Sequence, residues 1–248
     1  MRSSGRRHIL LPSMTSTSST LVDRLATLAI VLCAVVLTGS VAYRTFREPP
    51  LRVTQVDTPP RFEKGWVEAN DVGRRIGSTQ AAITIVEFAD VECPVCQHFQ
   101  PTLSDLLVEY PTQVALVAVP FPLPYHKYAM EAARATECAY GAGDFRRWLD
   151  AVYALKDSLG RKPWGAVART AGIVDTVALS RCARGATHDA RIERGIAIGK
   201  KLGVPGTPTI LVNGWMISGA PSKERLKGAI DALLRNENPF AAGKWAAR

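Results

Sequence analysis

Two thiols three positions apart, in Cys93-Pro94-Val95-Cys96, carry the clearest chemistry in this chain. They come after the apolar run Ile83 to Ala89 and open a helix-compatible stretch. At a helix N-terminus, sulfurs so spaced can close a small disulfide ring. The first faces backbone N–H groups that the helix leaves unpaired, which favours its thiolate. A low-pKa thiolate attacks other disulfides, so the motif points to thiol–disulfide exchange. Zinc is the competing chemistry, but it requires two further ligands, ideally a second close pair. His8, His98, His126, His188 and the distant Cys138 and Cys182 offer no such pairing. No metal and no bound cofactor is expected, because the cysteine pair itself stores the electrons.

The elements that must position these sulfurs follow from periodicity. Ile83 to Ala89 is β-branched and apolar with one acid, Glu87, and predicts a buried strand. Pro94 to Tyr110 predicts a helix with proline in its first turn, and Val114 to Val119 a parallel neighbouring strand. Helices are predicted over Tyr125 to Tyr140, Phe145 to Leu155, Trp164 to Ala171, Val177 to Arg184 and His188 to Leu202. Two apolar runs around Asn213-Gly214 then signal a hairpin, and Ser222 can cap a last helix, Lys223 to Arg235. The order is strand, helix, strand, helical insertion, hairpin, helix. Thr207-Pro208 stands just ahead of the hairpin. A cis proline there would hold backbone groups beside the sulfurs, ready to pair with an extended substrate. The alternative is an ordinary turn proline.

The formal net charge of +9 is unevenly spread. Residues 1–47 carry Arg2, Arg6, Arg7, Arg24, Arg44 and Arg47 against Asp23 alone, a net +5, leaving +4 on the other 201 residues. No basic stretch interleaved with aromatics is found there, which argues against a nucleic-acid partner. Leu25 to Tyr43 is uncharged and mostly apolar, close to the ~20 residues that cross a bilayer as a helix. The preceding arginines favour a cytoplasmic N-terminus and an extracytoplasmic remainder. A cleavable leader ending near Ser40-Val41-Ala42 is the competing reading, and both give the same compartment. Gly5-Arg6-Arg7 loosely resembles a twin-arginine export signal, and Met14 is an alternative start. The expected organisation is a basic leader at 1–24, a membrane anchor or signal segment at 25–43 and a Pro-rich linker at 44–65. The folded domain follows at 66–236, with its helical insertion at about 124–200, and a tail at 237–248. Of the five cysteines, Cys33 lies in the apolar span and is expected to pack as a small hydrophobe. Cys138 and Cys182 are an even pair in an exported domain, which suggests a bridge; two separate buried thiols are the alternative.

Val86-Glu87-Phe88-Ala89-Asp90-Val91-Glu92-Cys93-Pro94-Val95-Cys96, Gly206-Thr207-Pro208-Thr209 and the Val212-Asn213-Gly214 turn together resemble the DsbA-like branch of the thioredoxin superfamily. The resemblance implies an α/β thioredoxin-like fold with an inserted α-helical domain, here preceded by an N-terminal transmembrane helix. It implies that Cys93 is the attacking, exposed cysteine and Cys96 the buried resolving one. Pro208 is then cis, with Thr207 touching the active site. Some members carry a second disulfide in the helical domain, which Cys138 and Cys182 would match. Glu87 stands where relatives keep a buried acid below the cysteine pair; buried, its pKa would rise and it could relay the proton of Cys96. The implied partners are exported proteins with thiols or disulfides and a membrane redox partner, either a quinone-linked oxidase or an electron donor. Reductase or isomerase flow, and a non-catalytic chaperone or adaptor, are the competing functions.

This sequence departs from the pattern of strongly oxidising relatives by placing Val95 where they carry histidine. Asp90 and Glu92 add negative charge that would oppose a thiolate if they face it. His98 is expected at the surface, and His126 as a structural residue at the start of the insertion.

Overall fold

The computed structural model describes residues 21–47 and 59–240, in two units, Met1–Arg52 and Val53–Arg248. The arginine pair at 6 and 7, Met14, the prolines at 49 and 50 and the last eight residues of the tail lie outside the described residues.

The described part of the first unit is one helix, α1 (Leu21–Arg47), longer than the apolar span at 25–43. Its window Asp23–Ser40 has a mean hydropathy of 1.6, long and apolar enough to cross a membrane. The hydroxyls of Thr27, Thr38 and Ser40 donate to carbonyls one turn back, at Asp23, Ala34 and Leu37. That pairing lets them sit in an apolar medium without unmet donors. Cys33 lies on the exposed surface of this apolar helix.

The second unit is built on a six-stranded sheet ordered β1-β6-β5-β3-β4-β2. In chain order its elements are β1 (Arg61–Phe62), α2 (Trp66–Val72), β2 (Arg74–Ile76), β3 (Ile83–Ala89), α3 (Pro94–Glu109) and β4 (Val114–Pro120). A helical block follows: α4 (Ala129–Ala139), α5 (Phe145–Ala154), α6 (Trp164–Thr170), α7 (Thr176–Arg184) and α8 (Asp189–Lys201). The hairpin β5 (Thr209–Val212) and β6 (Trp215–Ser218) and the helix α9 (Lys223–Leu234) complete it. The sheet thus starts inside the stretch expected to be linker, because β1 pairs antiparallel with β6.

β3 and β4 run parallel, joined by α3, and β5 lies antiparallel on the other side of β3. Every residue of β3 except its last is buried, as befits a central strand covered on both faces. On one face Ile83, Ile85, Leu116 and Ile210 meet Phe99 and Leu103 of α3 and Leu226 and Ile230 of α9. On the other, Val86, Phe88, Val117 and Val119 meet Ala69 and Val72 of α2. This is a thioredoxin-like arrangement, with five helices inserted between β4 and β5. The hairpin turn has Asn213 at φ 45° and Gly214 at φ 91°, both left-handed. A side chain at 214 would also strike the Trp66 ring, 2.6 Å from where its Cβ would stand, so glycine is required there. The Asn213 side chain accepts from Thr84 N–H at 2.7 Å and donates to the Ala82 carbonyl at 2.9 Å, tying the hairpin to the start of β3.

Candidate active site

Cys93 is the N-cap of α3 in an extended conformation, with Pro94 in the first turn. Its N–H donates to the Asp90 carbonyl at 3.0 Å and its own carbonyl accepts the first helical bond, from Gln97 N–H at 3.1 Å. The sulfur therefore stands over the unpaired donors at the head of α3. The sheet brings the second half of the site. Because Phe88 at the end of β3 pairs with Thr209 at the start of β5, the loop before β5 lies beside the loop after β3. The Thr207–Pro208 bond in that loop is cis, and Cys93 Sγ lies 3.3 Å from the Thr207 carbonyl. Residues 114 positions apart thus meet through strand register.

The two thiols are held very differently. Cys96 donates to the Cys93 sulfur, the largest cause of a Cys93 pKa lowered from 9.0 to about 5. Burial opposes this; the Thr207 side chain and the N–H groups of Cys96 and Val95 add to it. Cys96 is fully buried, and burial pushes its thiol well above the ordinary value. Its donation to Cys93 and the nearby Glu87 charge push the same way. Glu87, on β3, is 2% exposed with Oε1 unpartnered. Burial, and then the charge of Cys93, raise its pKa from 4.5 to about 8. Cys93, expected to be exposed, is itself buried at 5% exposure; it is nonetheless poised as an anion, while the Cys96 thiol and the Glu87 acid keep their protons at neutral pH.

Beside Glu87 lies a cavity with about 30 Å³ of room, lined also by Asp90, Ala118, Arg74, Glu137 and Tyr153 among others; it can hold a water molecule. Strand register explains it. Arg74 of β2 and Glu87 of β3 flank the same residue of β4, Ala118, whose methyl leaves space between the two longer side chains. Arg74 is closed against Glu137 at 2.7 Å. Tyr153, also buried, is pushed well above its ordinary pKa by burial and then by the charges of Cys96 and Glu87.

Asp90 and Glu92 do not stand as free charges over the sulfur. Asp90 is buried; its Oδ1 accepts from Glu92 N–H at 2.8 Å and its Oδ2 from Leu123 N–H at 2.8 Å. His126 Nδ1 also lies 2.8 Å from Oδ2. Glu92 Oε2 accepts from Tyr128 N–H at 2.5 Å, at the N-cap of α4, where a helix terminus favours negative charge. The condition under which these acids would oppose the thiolate, that they face it, is not met: Asp90 is turned to backbone N–H groups and the His126 ring, and Glu92 to the Tyr128 N–H. The His126–Asp90 contact was legible only as a histidine near the insertion. His98 is exposed, its Nδ1 2.6 Å from the Pro94 carbonyl.

Cys138 of α4 and Cys182 of α7 form a disulfide. His188 has a ring nitrogen within 4.8 Å of both sulfurs, but sulfurs bonded to each other are withdrawn from metal ligation.

A family model of thioredoxin matches residues 69–232. Among curated proteins, the chain is 29% identical over 159 residues to the Na(+)/H(+) antiporter NhaA of Herminiimonas arsenicoxydans. It is 36% identical over 161 residues to Na(+)/H(+) antiporter NhaA 3 of Salinispora tropica. Those matches take in 64% and 62% of this chain but 25% and 24% of the two proteins, so it spans about a quarter of the length of these relatives. Solved structures with the same fold include a thioredoxin-like oxidoreductase from Silicibacter pomeroyi DSS-3, with TM-score 0.58 and 24% identity over 70% of this chain and 98% of that one. BdbD from Bacillus subtilis gives TM-score 0.57 and 21% identity, covering 73% and 98%. The thiol-disulfide exchange protein alpha-DsbA2 from Wolbachia pipientis gives 0.59 and 17%, covering 67% and 90%.

Proposed function

We propose, from the premise that this chain belongs to the thioredoxin family, that it is an extracytoplasmic thiol–disulfide oxidoreductase acting through Cys93 and Cys96 to form or exchange disulfides in exported proteins. The observation that carries this reading is the inequality of the two thiols, Cys93 lowered to about 5 beside Thr207–Pro208 and Cys96 raised under it. In the oxidised enzyme a client thiolate attacks Cys93 Sγ. The Cys93–Cys96 bond breaks, a mixed disulfide forms, and Cys96 leaves with a proton from Glu87. A second client thiolate then attacks the client sulfur of the mixed disulfide and expels Cys93 as a stable thiolate. The client has lost two electrons and the enzyme holds a dithiol. Run in reverse, Cys93 attacks a client disulfide, and Cys96 resolves it after passing its proton to Glu87. The backbone of the cis Thr207–Pro208 loop, held beside the Cys93 sulfur, suits an extended client segment.

Helix α1, with arginines before it, is proposed to anchor the chain in the membrane or to direct its export, with the catalytic unit outside. The reduced pair then needs an electron acceptor; for an oxidase, a quinone-linked membrane protein is the class proposed. Cys93→Ala is expected to abolish dithiol oxidation and insulin reduction, and Cys96→Ala to accumulate mixed disulfides with clients. Native turnover in Cys93→Ala would sink the assignment, and absence of mixed disulfides in Cys96→Ala would favour an adaptor. A Cys93 pKa of about 5 lies between those of thioredoxin and DsbA, about 7 and 3.5. The potential is accordingly expected between about −270 and −120 mV; a value at the lower limit would assign reductase flow.

A further inference from the structure

Asp90 touches both cysteines through its backbone. Its carbonyl accepts from Cys93 N–H at 3.0 Å, and its N–H donates to the Cys96 sulfur. Whatever fixes Asp90 therefore fixes the spacing of the reactive pair. Its side chain is fixed from the segment between β4 and α4. Leu123 N–H and the His126 ring both meet Oδ2 at 2.8 Å. With Oδ1 already accepting from Glu92 N–H and Oδ2 from Leu123 N–H, the carboxylate serves as acceptor and Nδ1 of the ring as donor. The neighbouring acid repeats the device, Glu92 binding Tyr128 N–H at 2.5 Å. Two acids on the cysteine loop thus grip one six-residue segment, Leu123 to Tyr128, by two backbone N–H groups and the His126 side chain.

We propose that His126 is a positioning residue that, through Asp90, fixes the backbone holding both active-site sulfurs. The proposal rests on the oxidoreductase reading for its effect on turnover, though not for its effect on the thiols. Without the ring donor, the Asp90 carboxylate keeps two backbone donors but loses the side-chain partner that stops it turning. Its charge is then free to approach the thiolate, and the cysteine loop to shift.

The test pairs His126→Phe, which keeps a ring without a donor, with His126→Asn, whose amide N–H can occupy the place of Nδ1. Lys127→Gln, which removes an exposed cation next door, controls for local charge. In His126→Phe the Cys93 thiolate, followed by its ultraviolet absorbance in the reduced protein, is expected to titrate about one unit higher. Its kcat/KM for dithiol oxidation is expected to fall about tenfold, a modest displacement of reacting groups. His126→Asn is expected to restore both, and Lys127→Gln to change neither. Native titration in His126→Phe, equal loss in His126→Phe and His126→Asn, or the same shift in Lys127→Gln would each overturn the proposal. The titration needs no catalytic activity. It therefore judges His126 even if Cys93→Ala were to defeat the oxidoreductase reading.

Discussion

At the scale of single residues the site is a set of paired oppositions. Glu87 and Cys93 shift in contrary directions, about 8 against about 5, and each has its own signature in stability. For Glu87 the folded pKa lies above the unfolded one, so the folded protein binds more protons between pH 4.5 and about 8. Stability is then undiminished below 4.5 and falls as pH rises through about 8. Glu87→Gln removes a group that must be kept neutral. Urea denaturation of reduced proteins should show the variant gaining on the native chain from pH 5 to pH 8, by up to several kcal/mol. Its turnover should meanwhile fall, toward the lower end of the ~10²–10⁴-fold range of general acid–base catalysis. A stability difference independent of pH would mean that Glu87 is solvated and not a proton store. Cys93 has the opposite sign. Its folded pKa is depressed, so its contribution in the reduced protein is present above pH 9.0 and lost as pH falls through about 5.

At the scale of elements, what was legible in the sequence was what has a period. β3, α3, β4, the hairpin and α9 follow from runs long enough to alternate or to repeat every three to four residues. β1 has two residues, β2 three and α2 seven, too short for any pattern to emerge from composition. The predicted helix from Tyr125 begins instead at Ala129, with Tyr128 as its N-cap and the Tyr128 N–H donated to Glu92. The site's sulfurs, proline and buried acid could be picked out by type and spacing. Asp90 and Glu92 could be picked out but not oriented, since only tertiary contacts decide which way a carboxylate turns. The glycines of α8 were equally opaque, being poor helix formers inside a helix. Their reason is proximity to the sheet. A Cβ at Gly195 would stand 2.8 Å from the Pro120 carbonyl oxygen, and one at Gly199 would stand 2.4 Å from the Phe121 ring. Gly199→Ala should therefore lose about 1–3 kcal/mol to overpacking, against a helix-propensity gain of at most ~1 kcal/mol. A lower urea midpoint is expected, and a higher one would mean that α8 stands off the sheet.

At the scale of the whole catalytic unit, Cys93 and Cys96 belong to the same apolar cluster as Trp148, Val152, Trp164 and Leu179 of the inserted helices. The insertion is therefore part of the reactive pair's surroundings and not an appendage. Much of its own packing is small: Ala132, Ala135 and Ala139 of α4 and Ala183 of α7 are buried, and each alanine removes little apolar surface from water. A covalent tie between α4 and α7 matters more in such a core than in one filled by leucine. The Cys138–Cys182 bond spans 44 residues, for which loop-closure entropy gives about 4 kcal/mol. Replacing both cysteines by serine should lower the melting temperature by roughly 8–16 °C for a unit of this size. At low temperature the bridge-free chain should still titrate Cys93 near pH 5 and turn over dithiols, because the Cys138–Cys182 bond carries no electrons in the proposed exchange. Loss of activity without loss of stability would reverse that division, making the second bridge a participant in the redox chemistry rather than the clasp of the domain that covers it.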